Sequence, residues 1–246
     1  MLKRGVLLLL LLVSLASPAQ AGVCEDWNRL WLRIRDFQLA PKEAQAAFAP
    51  LHQRLRATYG KAGIGGPARF YPVLGYDSSG GVEGKAFRPR GFQFFSGNPQ
   101  GIHPSLDLFI RDKDQDSLDD QSKEPVTIVA YRGGVVVGVN RDWEFPSQVR
   151  GGKYLWIFDP ITNHYCYYAH LSQVDVQLGQ IIQAGEPLGL LGRTGLNAYK
   201  KRSPTHLHLM VLAYQDGEMM PYNPWSELVN ARLGQRGAEL ANQTRK

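Results

Sequence analysis

The stretch that decides the fold is Thr-His-Leu-His-Leu-Met-Val, residues 205–211. Its period-two pattern predicts a β-strand, in which residues two positions apart point to the same face. We therefore expect His206 and His208 on one face and Leu207 and Leu209 on the other. Two imidazoles placed in this way can bind one metal ion, or one can bind it while the other moves a proton. Because such a pair can also be incidental, this interpretation needs support from elsewhere in the chain.

Two upstream stretches, residues 103–107 and 168–172, carry side chains of the same chemical type. The first reads His103-Pro-Ser-Leu-Asp107 and the second Tyr168-Ala-His170-Leu-Ser172. A hydrolytic zinc site takes three protein ligands from His, Asp or Glu and leaves one position open. Four of the six histidines lie in these three stretches. The other two, His52 in a predicted helix and His164 near a predicted turn, are interpreted as ordinary solvated residues.

Together, the three stretches resemble, in order, the motifs of the lysostaphin-like zinc metallopeptidases, the LytM-type murein endopeptidases. Glycine and proline turns between the motifs and just after the last one are similar as well, and the resemblance covers residues 101–226. It implies one Zn²⁺ per chain with His103, Asp107 and His208 as ligands, and His170 and His206 beside it as catalytic residues. We expect His206 to act as the general base and His170 to stabilise the oxyanion, although the sequence alone does not separate these roles.

The spacing of apolar runs predicts the fold class and the domain boundaries. After Asp107, short apolar runs alternate with Gly, Asn and Pro turns, and helical periodicity returns only at residues 224–229. This pattern predicts a mainly β domain, residues 101–230, built as an antiparallel sandwich or partly open barrel of the LytM type. A helical segment (residues 22–60) and a linker and loop region (61–100) precede it, and a polar tail (231–246) follows.

The N-terminal helical segment shows an apolar face at helical spacing. Its members are Trp27, Leu30, Trp31, Ile34 and Phe37. A second helix is expected to begin at Pro41 and to be kinked or split at Pro50. We expect the segment to pack on the domain, and an inhibitory or partner-docking arm is the alternative.

Residues 1–21 have the composition of a secretory signal peptide. Basic residues precede an apolar run, and Ala-Gln-Ala ends at Ala21. The run is too short to span a membrane, so the mature chain is expected to lack a transmembrane segment and to be periplasmic or extracellular. Cleavage would remove two basic residues and no acidic ones, which changes the net charge from +6 to +4. A mild positive charge suits an anionic cell-wall surface, whereas dispersed basic residues on an exported chain argue against nucleic acid.

Two cysteines, Cys24 and Cys166, are present. In an oxidising compartment they can form a disulfide, but the sequence does not show whether they approach each other. Neither cysteine belongs to a sequence motif with the spacing of a metal site.

An acidic insertion follows the first motif. Asp112, Asp114, Asp116 and Asp120 can converge their oxygens on Ca²⁺, as in the first half of an EF-hand loop. The interpretation as a solvated acidic turn is favoured, because residues 117 and 123 are Ser and Lys where that loop needs Gly and Glu.

A cationic loop precedes the 205–211 strand. Its members Lys200, Lys201 and Arg202 can either bind the carboxylates of peptidoglycan stem peptides or simply face solvent.

The resemblance leads to a functional prediction and two alternatives. The prediction is an exported zinc endopeptidase that hydrolyses amide bonds in peptidoglycan peptide cross-links, with stem peptides as its partners. The first alternative is a non-catalytic regulator that activates another wall hydrolase. The second is a zinc peptidase for ordinary proteins. The oligomeric state and the bond cleaved are not predicted.

Overall fold

The computed structural model describes residues 18–61, 63–76 and 87–231, and shows two helices followed by an antiparallel sheet. The helices are α1 (Pro18–Arg35) and α2 (Pro41–Tyr59), and a 3-10 helix spans Phe94–Ser96. The strands are β1 (Ser105–Phe109), β2 (Thr127–Val129), β3 (Gly134–Asn140), β4 (Lys153–Asp159), β5 (His164–Val174), β6 (Ile181–Ile182), β7 (Pro187–Leu191), β8 (His206–Gln215) and β9 (Glu218–Tyr222). The predicted signal peptide and polar tail lie outside the described residues, except for 18–21 and 231.

All nine strands belong to one open sheet. Its main path is β1-β8-β5-β4-β3-β6; β9 pairs with β8, and β7 pairs with both β5 and β2. Every pairing is antiparallel. The prediction of a mainly β, antiparallel fold with N-terminal helices is confirmed, and the sheet remains open rather than closing into a barrel.

The sheet buries apolar side chains on both faces, since consecutive residues of a strand point in opposite directions. On β4, Tyr154, Trp156 and Phe158 belong to one hydrophobic core. Leu155 and Ile157 belong to the core on the other face. We call these the helix-side core and the loop-side core, because only the first contains residues of α1 and α2.

Helices α1 and α2 cover part of the helix-side face. Trp27 is almost fully buried and packs against Trp156 at a centroid distance of 5.6 Å. The Trp31 indole N–H donates a hydrogen bond of 3.0 Å to the Tyr154 hydroxyl. The structure therefore shows the N-terminal helical segment packed on the β domain. Among the helices in the described ranges, none is both long and apolar enough to cross a membrane.

Three features of the chain differ from the prediction. Phe37 lies beyond the end of α1 with φ of 57° and a 61% exposed side chain, so it does not share the helix face. Helix α2 runs through Pro50 without splitting. Phe48 and Leu51, on either side of the proline, are buried in the helix-side core. Strand β9 was not predicted, because its Glu-Met-Met-Pro-Tyr sequence lacks alternation.

The interpretation of His52 and His164 as solvated residues was wrong. His52 is buried, its Nδ1 lies 2.8 Å from the Tyr165 hydroxyl, and burial lowers its pKa to about 4. His164 is half-buried, packs against the Tyr222 ring, and also has its pKa lowered to about 4 by burial. Both histidines are therefore neutral, structural side chains.

Cys24 and Cys166 are free thiols in the structure. Cys24 lies in the helix-side core beside the Tyr59 hydroxyl, and Cys166 lies in the loop-side core. The sheet separates them, so the open question of a disulfide is resolved here as two buried thiols. Burial raises the pKa of Cys24 to about 11 and that of Cys166 to about 12, which makes both poor nucleophiles.

Candidate metal centre

The site is built on three adjacent strands. Asp107 of β1 is directly opposite His208 of β8, which is in turn opposite Ala169 of β5. Leu207 and Leu209 lie in the loop-side core, so His206 and His208 share the other face, as the alternation predicts. Strand pairing alone therefore brings the second and third motifs beside the first.

Three side chains converge as a ligand set. His103, Asp107 and His208 each offer an atom within 4.8 Å of the others. Asp107 Oδ1 lies 3.2 Å from His103 Nε2 and 3.1 Å from His208 Nδ1. All three side chains are partly exposed, at 33%, 20% and 18% respectively. The cluster is thus both compact and accessible from solvent.

His170 and His206 border this cluster, and each places its Nδ1 against a backbone carbonyl. The ring of His170 lies 4.9 Å from that of His206 and 5.6 Å from that of His208. His170 Nδ1 is 2.8 Å from the Thr194 carbonyl oxygen, and His206 Nδ1 is 2.7 Å from that of Pro204. A carbonyl oxygen only accepts, so each Nδ1 carries a hydrogen, and in the neutral tautomer of each ring Nε2 is the nitrogen that can accept.

The backbone around His170 is unusual. Its φ of 68° is left-handed, a conformation that non-glycine residues adopt at a cost and that clusters at functional sites. A Cβ on Gly195 would lie 2.9 Å from His170 Nδ1 and 2.3 Å from the Arg150 carbonyl oxygen. A glycine at 195 therefore lets the loop approach the imidazole closely enough for the Thr194 carbonyl to bind it.

The electrostatics of the cluster favour an ionised Asp107 carboxylate beside neutral imidazoles of His170 and His208. Burial alone would raise the pKa of Asp107, but hydrogen bonds from His103 and His208 hold it well below its usual range. Burial lowers the pKa of His170 to about 3, with a further contribution from His208 and His206. Burial also lowers the pKa of His208. A negative oxygen beside imidazole nitrogens in their neutral form is the donor set that Zn²⁺ binds.

The structure places the acidic insertion beside β8, not at the metal cluster. Oxygens of Asp112, Asp114 and Asp116 lie within 4.8 Å of one another. Asp120 does not belong to that group, and its carboxylate accepts the Lys113 backbone N–H. The calcium hypothesis for these residues stays a prediction.

The cationic loop is attached through its backbone, and its charged side chains point outward. The Lys200 carbonyl accepts from Arg193, and the Lys201 carbonyl accepts from Gln115. The Lys201 and Arg202 side chains are exposed, and Lys200 is half-buried. Substrate binding by this loop stays a prediction.

Sequence reasoning missed two residues next to the site. Thr205 immediately precedes His206 and is 2% exposed. Its hydroxyl accepts a hydrogen bond from Arg193 and donates one to Asp112. Tyr167 packs against both His208 and Trp31, with ring centroids 6.1 and 6.5 Å away. No spacing rule identifies either contact, although the position of Tyr167 on the histidine-bearing face follows from strand alternation.

Residues 114–223 match the model of the family described as Peptidase family M23. This segment contains His170, His206 and His208 but begins after His103 and Asp107. The structure, and not the family match, therefore brings the first motif to the other two. A search of curated protein sequences returned no significant match.

Solved structures of peptidases are similar to this chain at low identity. Lysostaphin from Staphylococcus simulans is 22% identical over 52% of this chain and 45% of its own, with a TM-score of 0.37. A protein designated glycyl-glycine endopeptidase lytM, from Ruminococcus gnavus, is 19% identical over 88% and 87%, with a TM-score of 0.45. A zinc-containing peptidase from Vibrio cholerae is 19% identical over 62% and 39%, with a TM-score of 0.37. The matched region spans less than half of the lysostaphin and Vibrio chains.

Proposed function

We propose a function from the premise that this chain belongs to peptidase family M23, in its LytM-type branch. The function is that of an exported, zinc-dependent endopeptidase that hydrolyses amide bonds in the peptide cross-links of peptidoglycan. The observation that carries the proposal is the convergence of His103, Asp107 and His208 on one partly exposed cluster with two further imidazoles beside it.

The donor atoms of that cluster fit a zinc ion. Tetrahedral zinc with bonds of about 2.0–2.1 Å places neighbouring ligand atoms about 3.3 Å apart. The two distances from Asp107 Oδ1, 3.2 Å to His103 Nε2 and 3.1 Å to His208 Nδ1, are close to that spacing. Two nitrogens and one carboxylate oxygen are also a ligand set of hydrolytic zinc sites. When bound, the ion would act as a Lewis acid toward the scissile carbonyl and the attacking water.

The two flanking histidines then handle protons. Because Pro204 fixes the hydrogen of His206 on Nδ1, its Nε2 can accept the proton of an attacking water and later donate it to the leaving amine. The oxyanion role predicted for His170 needs a hydrogen on Nε2, whereas Thr194 holds the hydrogen on Nδ1 and the lowered pKa keeps the ring neutral. We therefore assign His206 as the base and give His170 the role of orienting the water by accepting its hydrogen bond.

The substrate and the location are supported by the sequence. The order of the three motifs resembles that of murein endopeptidases, and a net charge of +6 for the full chain suits an anionic wall. Export is proposed from residues 1–21, whose cleavage after Ala21 would fall within α1 and leave residues 22–35 of that helix.

The test is digestion of purified sacculi by the zinc-loaded mature protein, with the released muropeptides identified by mass spectrometry. We expect new peptide termini, loss of activity with a chelator and recovery with zinc. His206→Ala should retain zinc and lose activity by about 100-fold or more, as expected for removal of a general base. His52→Asn is the matched control, because it removes a buried histidine remote from the cluster.

Two outcomes would contradict the proposal. If sacculi are unchanged by the protein alone but are digested faster when a second hydrolase is added, the chain is a regulator. If ordinary proteins are cleaved and sacculi are not, the substrate assignment is wrong while the zinc peptidase assignment stands.

A further inference from the structure

The acidic insertion is attached to the strand that carries His206. Asp112 is 7% exposed, and its two carboxylate oxygens accept three hydrogen bonds. Oδ1 accepts the Asp116 backbone N–H at 3.1 Å, and Oδ2 accepts the Ser117 N–H at 3.0 Å and the Thr205 hydroxyl at 2.6 Å. The carboxylate therefore closes its own loop and also holds a residue 93 positions away.

Thr205 is fixed from three directions. Its hydroxyl donates to Asp112 and accepts from Arg193 Nη1 at 2.7 Å, while its carbonyl accepts the Ile110 backbone N–H at 3.1 Å. With 2% of its surface exposed, Thr205 is almost fully shielded from solvent. This fixation sets the orientation of the Pro204–Thr205 peptide unit, because that unit is bonded directly to the Thr205 Cα.

The same cluster holds the cationic loop. Arg193 Nη2 donates to the Gln115 side-chain oxygen and to the Lys200 carbonyl, at 3.0 and 3.1 Å. Gln115 Nε2 donates to the Lys201 carbonyl at 2.9 Å and to that of Ser203 at 3.4 Å. The residues just before Pro204 are thus held by the insertion as well.

We propose that Asp112 and Thr205 are positioning residues for His206, an inference that rests on the proposed function. They aim the Pro204 carbonyl at His206 Nδ1, where the bond is 2.7 Å long. That bond places the hydrogen of the neutral tautomer on Nδ1 and directs Nε2 toward the metal cluster, 3.7 Å from Asp107 Oδ1. The acidic insertion therefore acts through a hydrogen-bond chain on the catalytic imidazole.

The fold contains a matched control for this hydrogen-bond chain. Thr162 lies in the turn between β4 and β5, where its hydroxyl accepts from Nη1 of Arg132, a residue between β2 and β3, at 3.2 Å and donates to Asp159 at 2.6 Å. His164, at the end of this turn, is opposite Ala213, seven residues from His206 along β8 and so about 23 Å away. The chemistry is the same, but no catalytic imidazole adjoins it.

The experiment compares Thr205→Val with Thr205→Ser and Thr162→Val, using ¹⁵N-histidine-labelled mature protein with and without zinc. Valine keeps the shape of threonine and removes the hydroxyl, whereas serine keeps the hydroxyl. We expect the two His206 ring nitrogens of wild type to show well-separated ¹⁵N shifts with hydrogen on Nδ1. In Thr205→Val the two shifts should move toward each other as the tautomers mix, and Thr205→Ser and Thr162→Val should match wild type.

Kinetics supply the second readout. We expect kcat of Thr205→Val to fall about 10-fold with KM within about twofold, as for other residues that orient a catalytic group. Unchanged His206 shifts in Thr205→Val would overturn the inference whatever the activity. If that variant does not fold, Asp112→Asn decides in the same way, with Asp159→Asn as its control. If Thr205→Val shows the tautomer change but the wild-type protein never cleaves sacculi, the proposed function is wrong and the positioning role stands.

Discussion

Two carboxylates five residues apart, Asp107 and Asp112, both gather partners from distant segments, but the partners differ in kind. Asp107 meets imidazole nitrogens of His103 and His208, which can release their hydrogens and bind an ion instead. Asp112 meets two backbone N–H groups and the Thr205 hydroxyl. Backbone amides cannot become metal ligands through nitrogen, so the hydrogen bonds of Asp112 hold the insertion in place whether or not a cation binds it.

The comparison separates the two carboxylates by the partners of their oxygens. An ionised carboxylate offers about four lone-pair positions, and the three donors on Asp112 leave about one for a cation. Asp107 and its imidazoles form a set whose hydrogen bonds can be exchanged for metal bonds without leaving a donor unpaired. The partners of Asp112 therefore explain how it holds the insertion in place, while the calcium hypothesis for the insertion stays a prediction.

The largest expected effect is on zinc content. Asp107→Asn replaces a ligand by a neutral amide, so we expect zinc affinity to fall more than about 100-fold, since outer partners alone are worth 10–100-fold. Asp112→Asn should retain one zinc per chain. Metal analysis after dialysis measures both. A full zinc content in Asp107→Asn, or a loss of zinc in Asp112→Asn alone, would contradict the roles given to the two carboxylates.

Both substitutions should also lower the stability of the metal-free protein. Removing the charge of Asp112 weakens hydrogen bonds of a type worth about 1.5–3 kcal/mol each, so the free energy of unfolding should fall by about that amount. For a domain of this size the Tm of the metal-free protein would drop by roughly 3–10 °C. Asp107→Asn should lower that Tm as well, because the hydrogen bonds that hold the pKa of Asp107 below its usual range stabilise the folded protein with this carboxylate ionised. Calorimetry of the metal-free variants measures both changes, and an unchanged Tm in either variant would contradict the contribution given to its hydrogen bonds.

A smaller effect is expected for the loop that the Asp112 cluster anchors. Changing Lys200, Lys201 and Arg202 to Gln leaves the backbone carbonyl contacts in place. We expect binding to sacculi to weaken about threefold to tenfold at low salt, because each exposed charge contributes at most about 1 kcal/mol and is screened. Co-sedimentation in low and high salt measures this. Equal binding by variant and wild type at low salt would show that these side chains only face solvent.

The smallest expected effect is that of calcium. If the Asp112 cluster is satisfied by its hydrogen bonds, millimolar Ca²⁺ should shift the Tm of the zinc-loaded protein by less than about 1 °C, since only binding to the native state stabilises it. A clear rise that is abolished in Asp114→Asn and Asp116→Asn would establish the calcium site instead. Magnesium at the same concentration serves as the control for ionic strength.

Much of the candidate site could be predicted from local pattern. The shared face of His206 and His208 follows from strand alternation, and the sheet and the two helices follow from the period of their apolar residues. These features depend on spacing, which a single sequence shows directly. That His103 and Asp107 would join the two histidines was implied by the family resemblance and not by spacing.

The remaining features depend on tertiary contacts that spacing does not encode. His52 was interpreted as solvated, yet it hydrogen-bonds Tyr165 in the helix-side core. Thr205 gains its role only from Asp112 and Arg193, which approach from different loops. The tautomer of His170 depends on the Thr194 carbonyl, 24 positions along the chain. Each of these contacts is apparent only in the folded structure.

Helix α1 and the histidine cluster occupy the same face of the sheet, with the Tyr167 ring in contact with both Trp31 and His208. A long polymer laid across the cluster would therefore meet helix α1 on the side of Trp31. If the proposed function holds, the N-terminal segment would limit the directions from which a substrate strand reaches the site.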